Sequence, residues 1–262
     1  MTAVQLLGLC YEGDDNAVGG AATGPAWMRW GLETIETFSL WQDAAVPALA
    51  DEGDRYFLHL PPAAAVDAMA KSLQRLLTPQ APFCILGGDH LITLPVVQWA
   101  LAAHPELAVV SLDAHLDRRT THGGVDLSHA TVMTHVAKLI GPERLYTLGV
   151  RSRAPEEPWD RATMYTRNVA APLAQLLAGP LAERPIYLSL DLDVLDPALM
   201  PAVSNAEAGG IDFAELAYAL RLLRGRLIGA DVVEFVATAA APIPAAEIAA
   251  TALRETLISI VT

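Results

Sequence analysis

Residues 113–117 read Asp-Ala-His-Leu-Asp and follow directly on the apolar run Leu107–Leu112. A short apolar run of this kind is a buried strand. Acidic and imidazole side chains then fall at every second position, and in extended chain such positions point to one side. Two carboxylates and an imidazole on one side can hold a divalent cation, and buried aspartates are costly without one. Similar groups follow other apolar runs. His90 comes after Phe83–Leu86 and a Gly87-Gly88 pair, Asp191 and Asp193 after Ile186–Leu190, and Glu234 after Leu227–Val233. Six metal-ligand candidates result: His90, Asp113, His115, Asp117, Asp191 and Asp193. With four aspartates, the set exceeds a structural zinc site. It suits two hard divalent ions that share bridging carboxylates. Manganese fits this chemistry, and iron, cobalt and nickel stay open.

The elements that must carry these groups alternate along the chain. Strands are predicted at Val4–Leu9, Tyr56–Leu60, Phe83–Leu86, Leu107–Leu112, Leu145–Val150, Ile186–Leu190 and Leu227–Val233. Helices are predicted from Pro25 toward Glu33, over Ala63–Leu77, Ile92–Ala103 and His129–Ile140, around Leu173–Leu177, from an Asp212 cap to Leu223, and over Ile248–Leu257. Strand–helix alternation means a largely parallel sheet with helices on both faces. In such a sheet, ligands gather beyond the carboxyl ends of the strands. Segments distant in sequence would thus deliver His90, Asp113, His115, Asp117, Asp191, Asp193 and Glu234 to one rim.

Composition narrows the function. The chain has 262 residues, 53% of them hydrophobic, enough for a continuous core. No internal repeat or linker divides it, so residues 1–262 read as one catalytic domain. There is no run of apolar residues long enough to span a membrane. The first residues lack a basic region followed by a signal-type apolar stretch, so a cytoplasmic location is expected. The formal charge is −13, which argues against a nucleic-acid partner and favours a small cationic one. Cys10 and Cys84 are the only cysteines and read as buried thiols. The glycine-rich stretch Tyr11–Gly24 has neither GxGxxG spacing nor a following Walker lysine, so it is not read as a phosphate loop.

Taken together, Gly87-Gly88-Asp89-His90, Asp113-Ala114-His115-Leu116-Asp117, Ser189-Leu190-Asp191-Leu192-Asp193-Val194-Leu195-Asp196-Pro197, Gly209-Gly210 and Asp231-Val232-Val233-Glu234 resemble the ureohydrolase superfamily of arginases, agmatinases and guanidino-acid hydrolases. The resemblance implies a three-layer α/β/α arginase-like fold, two Mn2+ per subunit and a closed homo-oligomer, trimer or hexamer. It implies a first ion on His90 and Asp117, a second on His115 and Asp193, and Asp113 with Asp191 as bridges. Asp117 would also orient the attacking hydroxide and take its proton. His129 matches a mobile proton-transfer histidine, Glu234 the carboxylate that holds the guanidinium, and Asp89 and Asp196 loop-fixing residues. The implied reaction is C–N hydrolysis of a guanidino group to urea and an amine.

The chain departs from the pattern at Leu91, where a serine is usual, at Ala130, where a glycine is usual, and at Phe235–Thr238, where a proline-rich segment is usual. Gly24-Pro25 with Trp27-Met28-Arg29, Glu36-Thr37-Phe38-Ser39 and Leu94-Pro95 look closest to the agmatinase branch. Agmatine is therefore the leading expected substrate. Arginase, guanidinobutyrase and other guanidino-acid hydrolases are the alternatives, with a formimino hydrolase or a non-catalytic metal-binding homologue behind them. Arg118 and Arg119, facing inward, would bind a substrate carboxylate and would be poor company for dicationic agmatine.

Overall fold

The computed structural model describes residues 3–13, 18–237 and 242–261. Among the described residues ten strands are formed: β1 (Val4–Cys10), β2 (Phe38–Ser39), β3 (Ala44–Ala45), β4 (Leu49–Tyr56), β5 (Phe83–Gly87), β6 (Ala108–Leu112), β7 (Leu145–Val150), β8 (Met164–Thr166), β9 (Ile186–Asp191) and β10 (Leu227–Val233). Seven α-helices accompany them: α1 (Gly24–Thr34), α2 (Pro62–Leu76), α3 (Thr93–Ala100), α4 (Val132–Ile140), α5 (Ala170–Ala178), α6 (Phe213–Leu222) and α7 (Pro242–Ile260). Eight strands form one sheet in the order β4-β1-β5-β10-β9-β6-β7-β8. Every pairing in it is parallel.

Parallel strands buried on both faces are apolar at both parities. In β6, Ala108, Val110 and Leu112 enter one cluster while Val109 enters the other. The first cluster lies under α1, α5, α6 and α7, the second under α2, α3 and α4. This is a three-layer α/β/α arrangement. Helix α2 shows the logic locally. Pro62 sits in its first turn, where a missing N–H costs nothing. Ala65, Met69 and Leu73 then recur every four residues and are the ones it buries.

The order of strands makes the site. The chain passes from β5 to β6 without pairing them, and β10 and β9 later fill the gap. The adjacent strands β6 and β9 send their connections in opposite directions, to β7 and to β10, and such a switch point opens a crevice at the strand ends. The four strands that carry the predicted site residues, β5, β10, β9 and β6, are therefore adjacent at the centre of the sheet.

Some sequence expectations change. The second strand is Leu49–Tyr56, not Tyr56–Leu60. It is the sheet's edge, paired only with β1, so its face carries Asp51, Glu52, Asp54 and Arg55 rather than an apolar run. Residues 57–60 turn away, with His59 at φ 61°. The small β2–β3 hairpin and β8 carry too few residues for a periodic signal. Helix α3 ends at Ala100, three residues short of the predicted end, and α7 begins at Pro242 rather than Ile248. Parts of the Tyr11–Gly24 loop (14–17) and Thr238 lie outside the described residues.

Candidate metal centre and substrate cavity

Each strand end delivers its side chain through a defined local device. After β5, Gly88 passes so close to the neighbouring loop that a Cβ would lie 2.1 Å from the Tyr11 carbonyl oxygen. Only glycine fits there. Asp89 then caps a short 3-10 turn, its Oδ1 accepting from the Leu91 amide at 2.8 Å, and His90 begins that turn. After β9, Asp191 caps Leu192–Val194 in the same way, accepting from the Asp193 amide at 2.8 Å.

The aspartates share a pattern of half-occupied carboxylates. Asp113 Oδ1 accepts from the His115 amide at 2.6 Å, Asp191 Oδ1 from Asp193, and Asp193 Oδ1 from the Ala114 amide at 2.9 Å. The second oxygen of each turns to the imidazoles. His90 Nδ1 lies 3.0 Å from Asp117 Oδ2, 3.2 Å from Asp191 Oδ2 and 3.5 Å from Asp113 Oδ2. His115 Nδ1 lies 2.7 Å from Asp193 Oδ2 and 3.8 Å from Asp113 Oδ1. Two groups of ligand atoms result, each within 4.8 Å: His90, Asp113, Asp117 and Asp191, and Asp113, His115 and Asp193. Asp113 is common to both, while Asp191 falls in the first alone.

These groups fit a pair of cations. His90 Nδ1 and Asp113 Oδ2 are buried and make no directional hydrogen bond, although charged oxygens surround them. Without cations the electrostatics are unfavourable. Burial and the charges of Asp193, Asp117 and Asp191 push the Asp113 carboxyl well up. Burial and Asp193 raise Asp191 to about 7. At His115, burial opposes the charged ring, but the hydrogen bond and charge of Asp193 outweigh it and raise the imidazole to about 11. His90 is likewise driven up by Asp117 and Asp191 against its burial. Carboxylates crowded in a dry site hold protons unless another positive charge arrives.

Above these groups lies a cavity of about 410 Å³, lined by His115, Asp117, Asp191, Asp193, His129 and Glu234 among others. Its volume suits a small-molecule site. Glu234 Oε1 accepts from the His90 amide at 2.6 Å, while Oε2 is buried with no hydrogen-bond partner among the described residues. Burial and the neighbouring charges of Asp89 and Asp191 hold its carboxyl well above the usual range. Asp117 and Glu234 both have left-handed backbone, at φ 51° and 65°. Such positions in residues other than glycine cost free energy and persist where packing enforces them. Here Asp117 O accepts from the Met133 amide and Glu234 N donates to Gly88 O. His129 is 7% exposed and packs edge-on to His122, with ring centroids 5.2 Å apart.

The two arginines separate. Arg119 lines the cavity, its Nη1 3.3 Å from His122 Nδ1. Arg118 does not line it, and its amide donates to Glu157 Oε1 at 2.8 Å. Sequence reasoning marked Ser204–Glu207 as a departure bearing on the substrate wall, and Asn205 and Glu207 do line the cavity, whereas His122, Arg153 and Glu157, which also line it, were assigned no role. It also passed over Arg151, whose guanidinium donates to the carbonyls of Asp193 at 2.6 Å and Glu207 at 2.8 Å. That fork ties the second ligand group to the cavity wall. Asp196 fixes the same loop, accepting from Gly209 at 2.9 Å and Gly210 at 3.1 Å.

Comparison with known proteins decides the ancestry. The arginase family model matches residues 2–259. This chain belongs to the arginase family. The agmatinase of Bacillus cereus is 34% identical over 224 residues, covering 82% of this chain and 77% of its own. The agmatinase of Halalkalibacterium halodurans is 36% identical over 220 residues, 80% and 76% of the two chains. The solved structure of proclavaminate amidino hydrolase from Streptomyces clavuligerus superposes with a TM-score of 0.82 at 26% identity, covering 99% of this chain and 92% of that one. The arginase-family fold therefore accommodates relatives named for different substrates.

Proposed function

We propose that this chain hydrolyses a linear guanidine to urea and an amine with two divalent cations, manganese being the metal that matches an oxygen-rich aspartate and histidine set. The observation that carries the reading is the pair of ligand groups sharing Asp113 beneath a cavity that also holds the unpartnered Glu234 Oε2. His90, Asp113, Asp117 and Asp191 would hold one ion, and His115, Asp193 and Asp113 the other. When bound, such a pair lowers the pKa of a shared water and supplies a nucleophile near neutral pH.

The remaining work falls to side chains of this chain. Glu234 Oε2 receives the guanidinium N–H groups and holds the planar carbon over the ligand groups. A bound guanidinium also supplies the positive charge that brings the buried Glu234 carboxyl into its ionised form. Asp117 orients the attacking water and takes its proton. His129, on the cavity wall, transfers a proton to the departing amine, which must leave protonated.

The names of the curated relatives support agmatine as the substrate, giving putrescine and urea. One feature favours a second reading, a guanidino acid. Arg119 and Arg153 both line the cavity, and among the described residues neither has a carboxylate within ion-pair distance. Guanidiniums on the cavity wall would attract a carboxylate and repel an ammonium, against the opposite pull of Glu157 and Glu207 on the same wall. A urea-release screen of Mn2+-loaded protein against agmatine, arginine, 4-guanidinobutyrate and 3-guanidinopropionate tests both. Release from agmatine alone supports the first reading, and release from the acids supports the second. No urea from any of them refutes guanidine hydrolysis. We further propose a closed homo-oligomer, trimer or hexamer, which intact-assembly mass measurement tests.

A further inference from the structure

The other ring nitrogen of His90 faces a buried polar relay in an otherwise apolar layer. His90 Nε2 lies 2.9 Å from Ser189 Oγ. Ser189 Oγ donates to Asp231 Oδ1 at 2.8 Å. Asp231 Oδ2 accepts from Thr93 Oγ1 at 2.7 Å and from the Tyr187 hydroxyl. All five residues are fully buried. Tyr187 belongs to the cluster under α2, α3 and α4, and Ser189 and Asp231 have the same strand parity as its members. Thr93 opens α3 on that side.

Proton counting fixes the direction of the relay. A carboxylate only accepts, and each hydroxyl has one proton to give. Ser189 gives its proton to Asp231, so toward His90 its oxygen can only accept. His90 must therefore donate from Nε2. A neutral ring with its proton on Nε2 carries its lone pair on Nδ1, the nitrogen that faces Asp117, Asp191 and Asp113. We propose that Ser189 and Asp231 are positioning residues that hold His90 in its Nδ1-ligating form and set the affinity of the cation site it shares with Asp113, Asp117 and Asp191.

A buried carboxylate is an expensive way to satisfy three hydroxyls. It is a fitting way to polarise a ligand's N–H bond and raise the basicity of the opposite nitrogen, and outer partners of this kind commonly change metal affinity 10–100-fold. One of the hydroxyls serves as an internal control. Tyr187 bonds Asp231 but does not touch His90, whereas Ser189 alone connects the two.

The inference rests on the two-cation reading, and the test separates them. Metal-free protein is titrated calorimetrically with Mn2+, with circular dichroism as the check on folding. Wild type should show two binding events. Ser189→Ala should weaken one of them by about 10–100-fold and leave the other within about threefold. Tyr187→Phe should leave both within about threefold. Unchanged affinities in a folded Ser189→Ala protein overturn the proposal. Equal weakening of both events in Ser189→Ala and Tyr187→Phe also overturns it, because that pattern belongs to a general loss of packing. If Ser189→Ala does not fold, Asp231→Asn, which keeps the side-chain shape, carries the same expectations. A wild-type protein that binds one Mn2+ refutes the two-cation reading, and the Ser189→Ala comparison at that one ion still decides the role of the relay.

Discussion

Replacing Glu234 by glutamine isolates the proposed guanidinium contact from the metal chemistry. Glu234 belongs to neither ligand group. Its Oε1 is committed to the His90 amide, and a glutamine carbonyl oxygen can keep that bond. The substitution therefore removes the charge at Oε2, which has no partner among the described residues. A hydrogen bond to a charged group contributes about 1.5–3 kcal/mol. With 1.4 kcal/mol per factor of ten, kcat/KM should fall about 10- to 150-fold. Manganese content should stay at the wild-type level. The assay is urea release at several substrate concentrations on protein whose metal content has been measured. A kcat/KM within about threefold of wild type, with metal intact, would show that Glu234 does not hold the guanidinium. Loss of manganese would show instead that its bond to the His90 amide supports the metal site.

Other measurements probe the remaining assignments. Asp191→Asn should abolish detectable urea release, and wild-type turnover in the purified, metal-loaded variant would refute the two-metal reading. Manganese should bind more weakly at pH 5 than at pH 7.5 and release protons, because metal-free Asp191, raised to about 7, and His115, raised to about 11, must lose protons to become ligands. Proton uptake in paired-buffer calorimetry would contradict this. Arg119→Ala should raise KM for guanidino acids about tenfold and leave agmatine unaffected or improved, and equal effects on both would remove Arg119 from the substrate's far end. Burial, with Asp54 beside it, pushes the Cys10 thiol up to about 12, and burial also raises Cys84, so neither should react with a thiol reagent at pH 8 until the protein is denatured.

The candidate ligands were legible because they are written locally. Asp113, His115 and Asp117 follow one buried strand, and Asp191 and Asp193 end another, so their place at the rim was readable. Parity did not set their directions, because the chain bends at 114–115, Asp117 is left-handed at φ 51° and Asp193 sits in a 3-10 turn. The order of the sheet was not needed to predict a shared rim, although it explains why β5, β10, β9 and β6 meet at its centre. Strand β4 was misplaced for the converse reason. Its charged edge has one partner, and its aspartates answer Arg29 from α1 across more than twenty residues of sequence. The sharing of carboxylates was also only half visible. Asp113 joins both groups, but whether Asp191 does so depends on where its side chain turns after β9.

Substrate selection lies in a different kind of structure. Arg118 and Arg119 are adjacent in sequence, yet the backbone of Arg118 is held by Glu157 while Arg119 reaches the cavity. Glu157 adopts that position because its carboxylate also accepts from the Ala154 amide in its own loop. Glu207 reaches the opposite wall through the Arg151 fork, which joins segments more than forty residues apart. None of these contacts has a sequence period, because each is a loop folding onto another loop. A scaffold that delivers ligands from strand ends and specificity from loops can change its substrate without disturbing its metals. On the proposed reading, Arg119 and Arg153 on the cavity wall, rather than the six ligand positions, are where the substrate of this chain is to be sought.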